Sequence, residues 1–275
     1  MSEFDTHPLL LTDTVAIRDV RCGGTCKHKS DEEFVTATHL VFPYRGIYVR
    51  HVGRAEAIAD ANQVVFFNED ESYRISHPVD GGDSSLSIAI NPATLLELAP
   101  AHYLSKGRAA FNRSRLRVDE HVQALTALLR HSLTLNAIDT LEGETLTLVL
   151  LRRALNERTT RLGARSVGRQ KLVDRTKVVL SSDLGRRWTL AAVAAEVGVS
   201  PVYLTQVFQY IEGRPLYHYQ LQLRLARALD LLGNYADLTS LALDLGFSSH
   251  SHFSAAFKRA YRQTPSEFQR SARLR

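Results

Sequence analysis

The pattern of apolar and polar positions changes twice along the chain. Over the first ninety or so residues, apolar and β-branched side chains come in short runs at 15–20, 34–42, 47–52, 63–67, 72–75 and 85–90. Turn signals separate them: Gly23-Gly24, the stretch 43–46, the polar tetrad 68–71, and Gly81-Gly82-Asp83. Many short strands at close spacing predict a β-sandwich or small barrel.

The period then becomes helical. Val118, Val122, Leu125, Leu128, Leu129 and Leu133 form one apolar stripe. Leu141, Leu146, Leu148, Leu151 and Leu155 belong to a second helix, with Asp139 or Thr140 as its cap. That second helix is apolar on more than one side, so it is expected to pack against more than its own domain. A linker is expected at 163–168, with Arg161 just before it and Arg165 within it.

In the last hundred residues one helical pattern occurs twice. The first copy reads Leu190, Val193, Ala194, Val197, Gly198, Val199, Ser200, Leu204, Phe208. The second reads Leu238, Leu241, Ala242, Leu245, Gly246, Phe247, Ser248, Phe253, Phe257. The offset is 48 up to the serine and 49 beyond it, so the second copy has one extra residue in its turn. Thr189 and Asp237 are the expected N-caps of the first helices. Gly198 and Gly246 stop those helices where a left-handed backbone is required. Ser200 precedes Pro201, a cap followed by proline at the first helical position. Ser248 or Ser249 caps the equivalent helix of the second copy. Helix, glycine turn and capped second helix make a helix-turn-helix, whose second helix enters a DNA major groove. Leu204, Phe208, Phe253, Phe257 and Tyr203 are read as core. Between the copies, 215–232 reads as one connecting helix about 27 Å long. That length is near one turn of B-DNA, roughly 34 Å.

Charge supports a nucleic-acid partner. Residues 166–275 carry 15 Lys and Arg against 8 Asp and Glu, whereas residues 1–165 carry 19 against 21. A basic end on a nearly neutral body is the footprint of a DNA-binding domain. Arg186, Arg187, Arg214, Lys258, Arg259 and Arg262 are the phosphate candidates, and affinity should fall steeply with salt. The chain has 275 residues and is 44% apolar, room for two cores. No run of eighteen apolar residues predicts a membrane span. The start, with no basic flank or long apolar stretch, does not read as a secretory signal. Two cysteines fit a reducing cytoplasm better than a disulfide scaffold.

From Thr189 to Arg270 the chain resembles the DNA-binding domain of the AraC/XylS transcription regulators. The resemblance is carried by Gly246-Phe247-Ser248-Ser249-His250-Ser251-His252-Phe253-Ser254, Phe257-Lys258 and Thr264-Pro265-Ser266-Glu267-Phe268. It implies an effector-responsive activator, cytoplasmic and homodimeric, that binds double-stranded DNA and contacts RNA polymerase. It implies base contacts at Val202, Thr205 and Gln206 in the first copy, and at His250, Ser251, Ser254 and Ala255 in the second. Ser200 joins the phosphate set. None of the base positions is Arg or Lys, so the common bidentate contact to guanine is missing. Gln206 suits adenine and Val202 a thymine methyl. Specificity should then lean on phosphates, DNA shape and dimerisation.

The resemblance also implies an α+β chain: an all-β cupin-like jelly roll at 1–115 that holds a small-molecule effector, a helical connector at 116–165 that dimerises, and an all-α tandem helix-turn-helix domain at 166–275. Phe42, Tyr44, Arg45, Tyr48, Tyr73 and Arg74 are the pocket candidates. A pocket arginine would favour an acidic ligand. His28, His39, His51 and His77 do not form the close His-x-His pair with a following Glu that a catalytic metal cupin needs. Neither a catalytic site nor a cofactor is therefore expected. Cys22-Gly23-Gly24-Thr25-Cys26-Lys27-His28-Lys29 leaves two readings open. Cys22, Cys26 and His28 could hold a soft metal or sense redox state; the glycines equally suit a plain β-turn. A front domain that only dimerises, on a constitutive DNA binder, is the remaining alternative.

Overall fold

The structure is a computed structural model that describes residues 4–24, 28–156 and 167–273. Ten strands are described: β1 (Phe4–Leu11), β2 (Val15–Cys22), β3 (Glu33–Phe34), β4 (His39–Arg45), β5 (Tyr48–Val52), β6 (Ala55–Ala59), β7 (Gln63–Phe67), β8 (Ser72–Ser76), β9 (Asp83–Ile90) and β10 (Arg115–Arg117). They form two antiparallel sheets, ordered β1-β2-β9-β4-β7-β10 and β3-β8-β5-β6. This is the sandwich the short runs predict.

Alternation along β7 shows how the larger sheet is used. Val65 and Phe67 meet Val41, Tyr48, Ala59 and Ile75 in the core between the sheets. Val64 and Phe66 face the other way, into a core shared with two helices, α2 (Glu120–Thr134) and α3 (Thr140–Ala154). Successive strand residues point to opposite faces, and here both faces are covered. That is why 63–67 is buried at every position. Asp119 and Asp139 cap α2 and α3, each accepting from the amide three residues on. A short helix, α1 (Pro92–Leu98), starts at Asn91 with proline at its first position.

The structure departs from the sequence reading at several places, and it adds β6, β10 and α1, which the short runs did not include. The run 34–42 is two strands, because the chain turns away between Phe34 and His39. The expected turn at 43–46 is the end of β4, with a bulge between Pro43 and Arg45. Proline is tolerated there because β4 pairs with β7 only over His39–Val41, so no ladder partner is lost on that side. β1 was not expected: its polar start and Pro8 look unlike a strand, yet it pairs with β2 at the sheet edge around a bulge. The expected linker 163–168 lies outside the described residues up to 166, and its last two positions already begin α4 (Val167–Ser182).

The second half is helical: α4, α5 (Leu190–Val197), α6 (Pro201–Glu212), α7 (Leu216–Leu231), α8 (Leu238–Asp244), α9 (His250–Tyr261) and α10 (Pro265–Arg273). It meets the first half through buried polar groups. Tyr219 on α7 donates its hydroxyl to Asp60, in the turn between β6 and β7, and accepts from Asn62 Nδ2 at its carbonyl, 3.1 Å away. Gln123 on α2 donates to Ala61 O at 2.7 Å and accepts from the Tyr261 hydroxyl at 3.3 Å. Arg115 pairs with Asp174 at 3.1 Å and Arg130 with Asp230 at 2.8 Å. Lys177 is wholly buried on α4 and pairs with Glu212 at 2.7 Å. Burial pushes the Glu212 carboxyl up, but the Lys177 ammonium outweighs it and the net direction is down. Burial pushes the Asp60 carboxyl up despite the same ammonium. Buried charges survive only where such partners exist.

Candidate DNA-reading surface and effector cavity

Both helix-turn-helix units are built by local signals. Thr189 Oγ1 accepts from Ala192 N, and Gly198 ends α5 at φ 72°. Ser200 Oγ accepts from Tyr203 N and starts α6. Asp237 accepts from the amides of Thr239 and Ser240 and starts α8. In the second turn Ser249, not Ser248, is the cap: its Oγ accepts from His252 N. Ser248 instead lies 3.0 Å from His252 Nδ1. At α10, Thr264 and Glu267 form a reciprocal capping box.

Val202, Thr205, Gln206, His250, Ser251 and Ala255 are exposed, and Ser254 is half-buried beside His250 at 3.3 Å. Leu204, Phe208, Phe253 and Phe257 are fully buried. Tyr203 is a correction: it is 44% exposed, because only every third or fourth position of α6 can face α5. It adds an aromatic to the exposed side of α6, as does Tyr210 at the far end of that helix. The Thr205 hydroxyl bonds back to Pro201 O at 2.6 Å, leaving its methyl and lone pairs outward. Arg186, Arg187, Lys258, Arg259 and Arg262 are exposed around these helices. Arg262 also ends α9 in a left-handed conformation. Arg214 is a second correction: it is half-buried and donates to Gln222 on α7, so it braces the connecting helix.

One residue absent from the sequence reading fixes the two units to each other. Arg224 projects from the middle of α7. Its Nε donates to Leu184 O at 2.8 Å and its Nη2 to Arg186 O at 2.7 Å, both in the segment leading into α5. Its Nη1 donates to Gly246 O at 3.2 Å, in the turn of the second unit. The apolar stripe of α7 was legible; that one arginine on it caps carbonyls of both units was not. The connecting helix itself is α7, preceded by Pro215, as the spacing predicts.

Between the two sheets lies a cavity of about 350 Å³. Tyr48, Tyr73, Val41, Phe67 and Ile75 give it aromatic and apolar walls, while Arg18, Glu33 and Asp83 add charge and His39 a polar ring. Burial lowers the His39 imidazole, keeping it neutral beside the Phe67 ring it stacks on at 4.8 Å. Burial raises the Tyr48 and Tyr73 phenols. Phe42, Tyr44, Arg45 and Arg74 do not line this cavity. Phe42 falls on the opposite face of β4, in the core shared with α2 and α3. Tyr44 donates to Asp19 at 2.6 Å under the Arg130 guanidinium, and burial raises its phenol to about 12. Arg45 follows at the end of β4, and Arg74 donates to Ser30 O at the surface. Cys22 is buried and His28 exposed; Cys26 lies outside the described residues.

A helix-turn-helix domain family matches residues 193–271. The chain is 31% identical to the HTH-type transcriptional activator CfaD of Escherichia coli, across 34% of this chain and 36% of CfaD. It is 28% identical to the regulatory protein SoxS of Escherichia coli, across 36% of this chain and 94% of SoxS. The chain spans about a third of the length of the first curated relatives it matches. Among solved structures, an AraC-type regulator from Chromobacterium violaceum is 28% identical, covering 39% of this chain and 96% of that one, with a TM-score of 0.37. ToxT from Vibrio cholerae, bound to an unsaturated fatty acid, is 16% identical over 94% of this chain and 96% of that one, with a TM-score of 0.36. No single helix among the described residues is long and apolar enough to cross a membrane.

Proposed function

We propose that this protein is a transcription regulator that reads double-stranded DNA with α6 and α9 and responds to a small molecule held between its sheets. The observation that carries the reading is the pair of exposed, separately capped helices whose relative placement is braced by Arg224. Val202, Thr205, Gln206 and Tyr203 face one groove, and His250, Ser251, Ser254 and Ala255 the next. Arg186, Arg187, Lys258, Arg259 and Arg262 supply phosphate contacts, with Ser200 holding the helix start that faces them. No residue in this reading carries catalysis.

The front unit comprises the strands with α2 and α3, and the rear unit begins at α4. Effector binding is supported by the cavity, whose apolar walls and Arg18–His39 edge suit an acidic group on an apolar body. Among the described residues Arg18 has no carboxylate partner, so it is available to such an anion. Ligand binding biases the arrangement of the two units, because the β6–β7 turn and α2 both touch the DNA-binding half. The protein works in the cytoplasm as a homodimer joined through the exposed Leu141, Thr145 and Val149 side of α3, and it activates by touching RNA polymerase.

Selection of genomic fragments by the purified full chain, followed by footprinting, tests the DNA reading. Protection of two adjacent major grooves on one face of the duplex is expected; protection of one groove, or none at physiological salt, rejects it. Thermal shifts of the full chain with amphipathic carboxylic acids against their methyl esters test the effector class. Equal shifts from acid and ester reject the anionic site.

A further inference from the structure

The structure assigns Cys22, His77 and Asp83 as a binding site for one soft divalent cation of the zinc class. The site staples the two sheets together at one end of the sandwich. It is independent of the DNA-binding reading.

Three separate chain segments converge there. Cys22 ends β2, and Asp83 opens β9 as its direct partner in the antiparallel ladder. His77 follows β8, which belongs to the other sheet. One donor atom from each lies within 4.8 Å of the other two, and all three residues are buried. Sulfur, nitrogen and a single carboxylate oxygen suit zinc and its neighbours; magnesium and calcium prefer all-oxygen sets.

The surroundings are built to hold these groups. Gly24 N donates to Cys22 Sγ at 3.4 Å, which fixes where the sulfur points. Asp83 Oδ1 lies 2.7 Å from His77 Nε2, and Ser85 Oγ donates to Asp83 Oδ2 at 3.3 Å. His77 is 2% exposed, and its imidazole meets both the Asp83 carboxylate and the Cys22 sulfur. The backbone leaves the cluster little room to open. A Cβ on Gly24 would stand 2.4 Å from Gly82 Cα, and one on Gly82 would stand 2.0 Å from Cys22 O. Both glycines hold positive φ, so the loops that carry Cys22 and Asp83 are pressed together as only glycine allows.

Binding replaces the Cys22 thiol proton and any proton shared by His77 and Asp83 with the cation, and those protons go to water. Three protein ligands leave a position for an outside donor. Asp83 also lines the cavity between the sheets, so the cation would stand at the edge of the proposed effector site.

The test is a cobalt titration of the metal-stripped full chain. A thiolate-to-cobalt charge-transfer band must come from a cysteine, and the chain has two. The expected result is one equivalent of Co²⁺ per chain, displaced by Zn²⁺ and not by Mg²⁺. Cys26→Ser keeps the band, and His77→Gln weakens binding at least tenfold. Should His77→Gln fail to fold, Asp83→Asn preserves side-chain volume and carries the same expectation. A wild-type chain that gives no band overturns the assignment. So does a band lost in Cys26→Ser, which would move the ion to the Cys22–Cys26–His28 loop. Undiminished affinity in a folded His77→Gln or Asp83→Asn chain overturns it as well.

Discussion

Gly246 lies directly against Gly185: a Cβ on Gly246 would stand 2.3 Å from the Gly185 carbonyl oxygen, and one on Gly185 would stand 2.6 Å from Asp244 O. The turn of the second helix-turn-helix therefore rests on the segment that leads into the first. Arg224 closes the contact by donating to carbonyls on both sides of it. The two reading helices are held by this contact as well as by the rod between them.

Breaking the contact should uncouple the units. Gly246→Ala must place a side chain at φ 77° and into the Gly185 backbone, which costs on the order of 1–3 kcal/mol. Arg224→Met should lower affinity for a two-groove site about tenfold, roughly 1.4 kcal/mol. Fluorescence anisotropy on the full site against a half-site checks this. Equal losses on both would mean that Arg224 merely stabilises the domain.

The buried Lys177–Glu212 pair makes a second prediction. Lys177→Met leaves Glu212 buried without its cation, and loss of one partner of a buried pair costs about 3–5 kcal/mol. Adding Glu212→Gln should recover a substantial part of that loss. Urea denaturation of the three chains measures it; a double variant no more stable than Lys177→Met contradicts the pairing argument.

Base and phosphate residues should separate by salt dependence. Gln206→Ala should relax preference at one base pair by about 1–3 kcal/mol and leave the salt slope alone. Lys258→Ala and Arg259→Ala should weaken all sequences alike, each reducing the slope by about 1. Binding isotherms at several salt concentrations on the selected site and on a variant of it distinguish the two behaviours.

Acid should loosen the second unit in part through Asp237. Hydrogen bonds from the Ser240 hydroxyl and from the amides of Thr239 and Ser240 hold its carboxyl down at about 2. A folded-state value below the unfolded one, about 3.9, means the cap's contribution is complete above that unfolded value. It is lost as pH falls toward 2. Asp237→Asn, a good neutral cap, should flatten this part of the stability profile. A profile unchanged between the two chains over that range would exclude Asp237 as the source.

The division between what local pattern and long-range packing decide follows the distance over which each signal acts. Thr189, Ser200, Asp237 and Asp139 were legible as caps because a cap concerns a side chain and an amide two or three residues on. Gly198 and Gly246 were legible because a left-handed turn is a property of one residue. The apolar periods of α2, α3, α6, α7 and α9, and most of the strands, belong to the same class. Tyr203 was misplaced because its apolar ring fits a core as well as a groove, and only the direction of α5 decides between them. Tyr44 and Tyr48 look alike in the chain, four residues apart. The bulge after Pro43 and the packing of α2 send one toward Arg130 and leave the other in the cavity. Arg224 could be placed on α7 from its period, but not against Gly246 and Arg186, whose carbonyls come from two other segments. Cys22 pointed by spacing to Cys26 and His28; the fold sets it beside His77 and Asp83, more than fifty residues away. Local stereochemistry and periodicity, which need only neighbours, were determined by the sequence itself. Which distant side chains share a site depended on how two sheets and a helical domain close on one another.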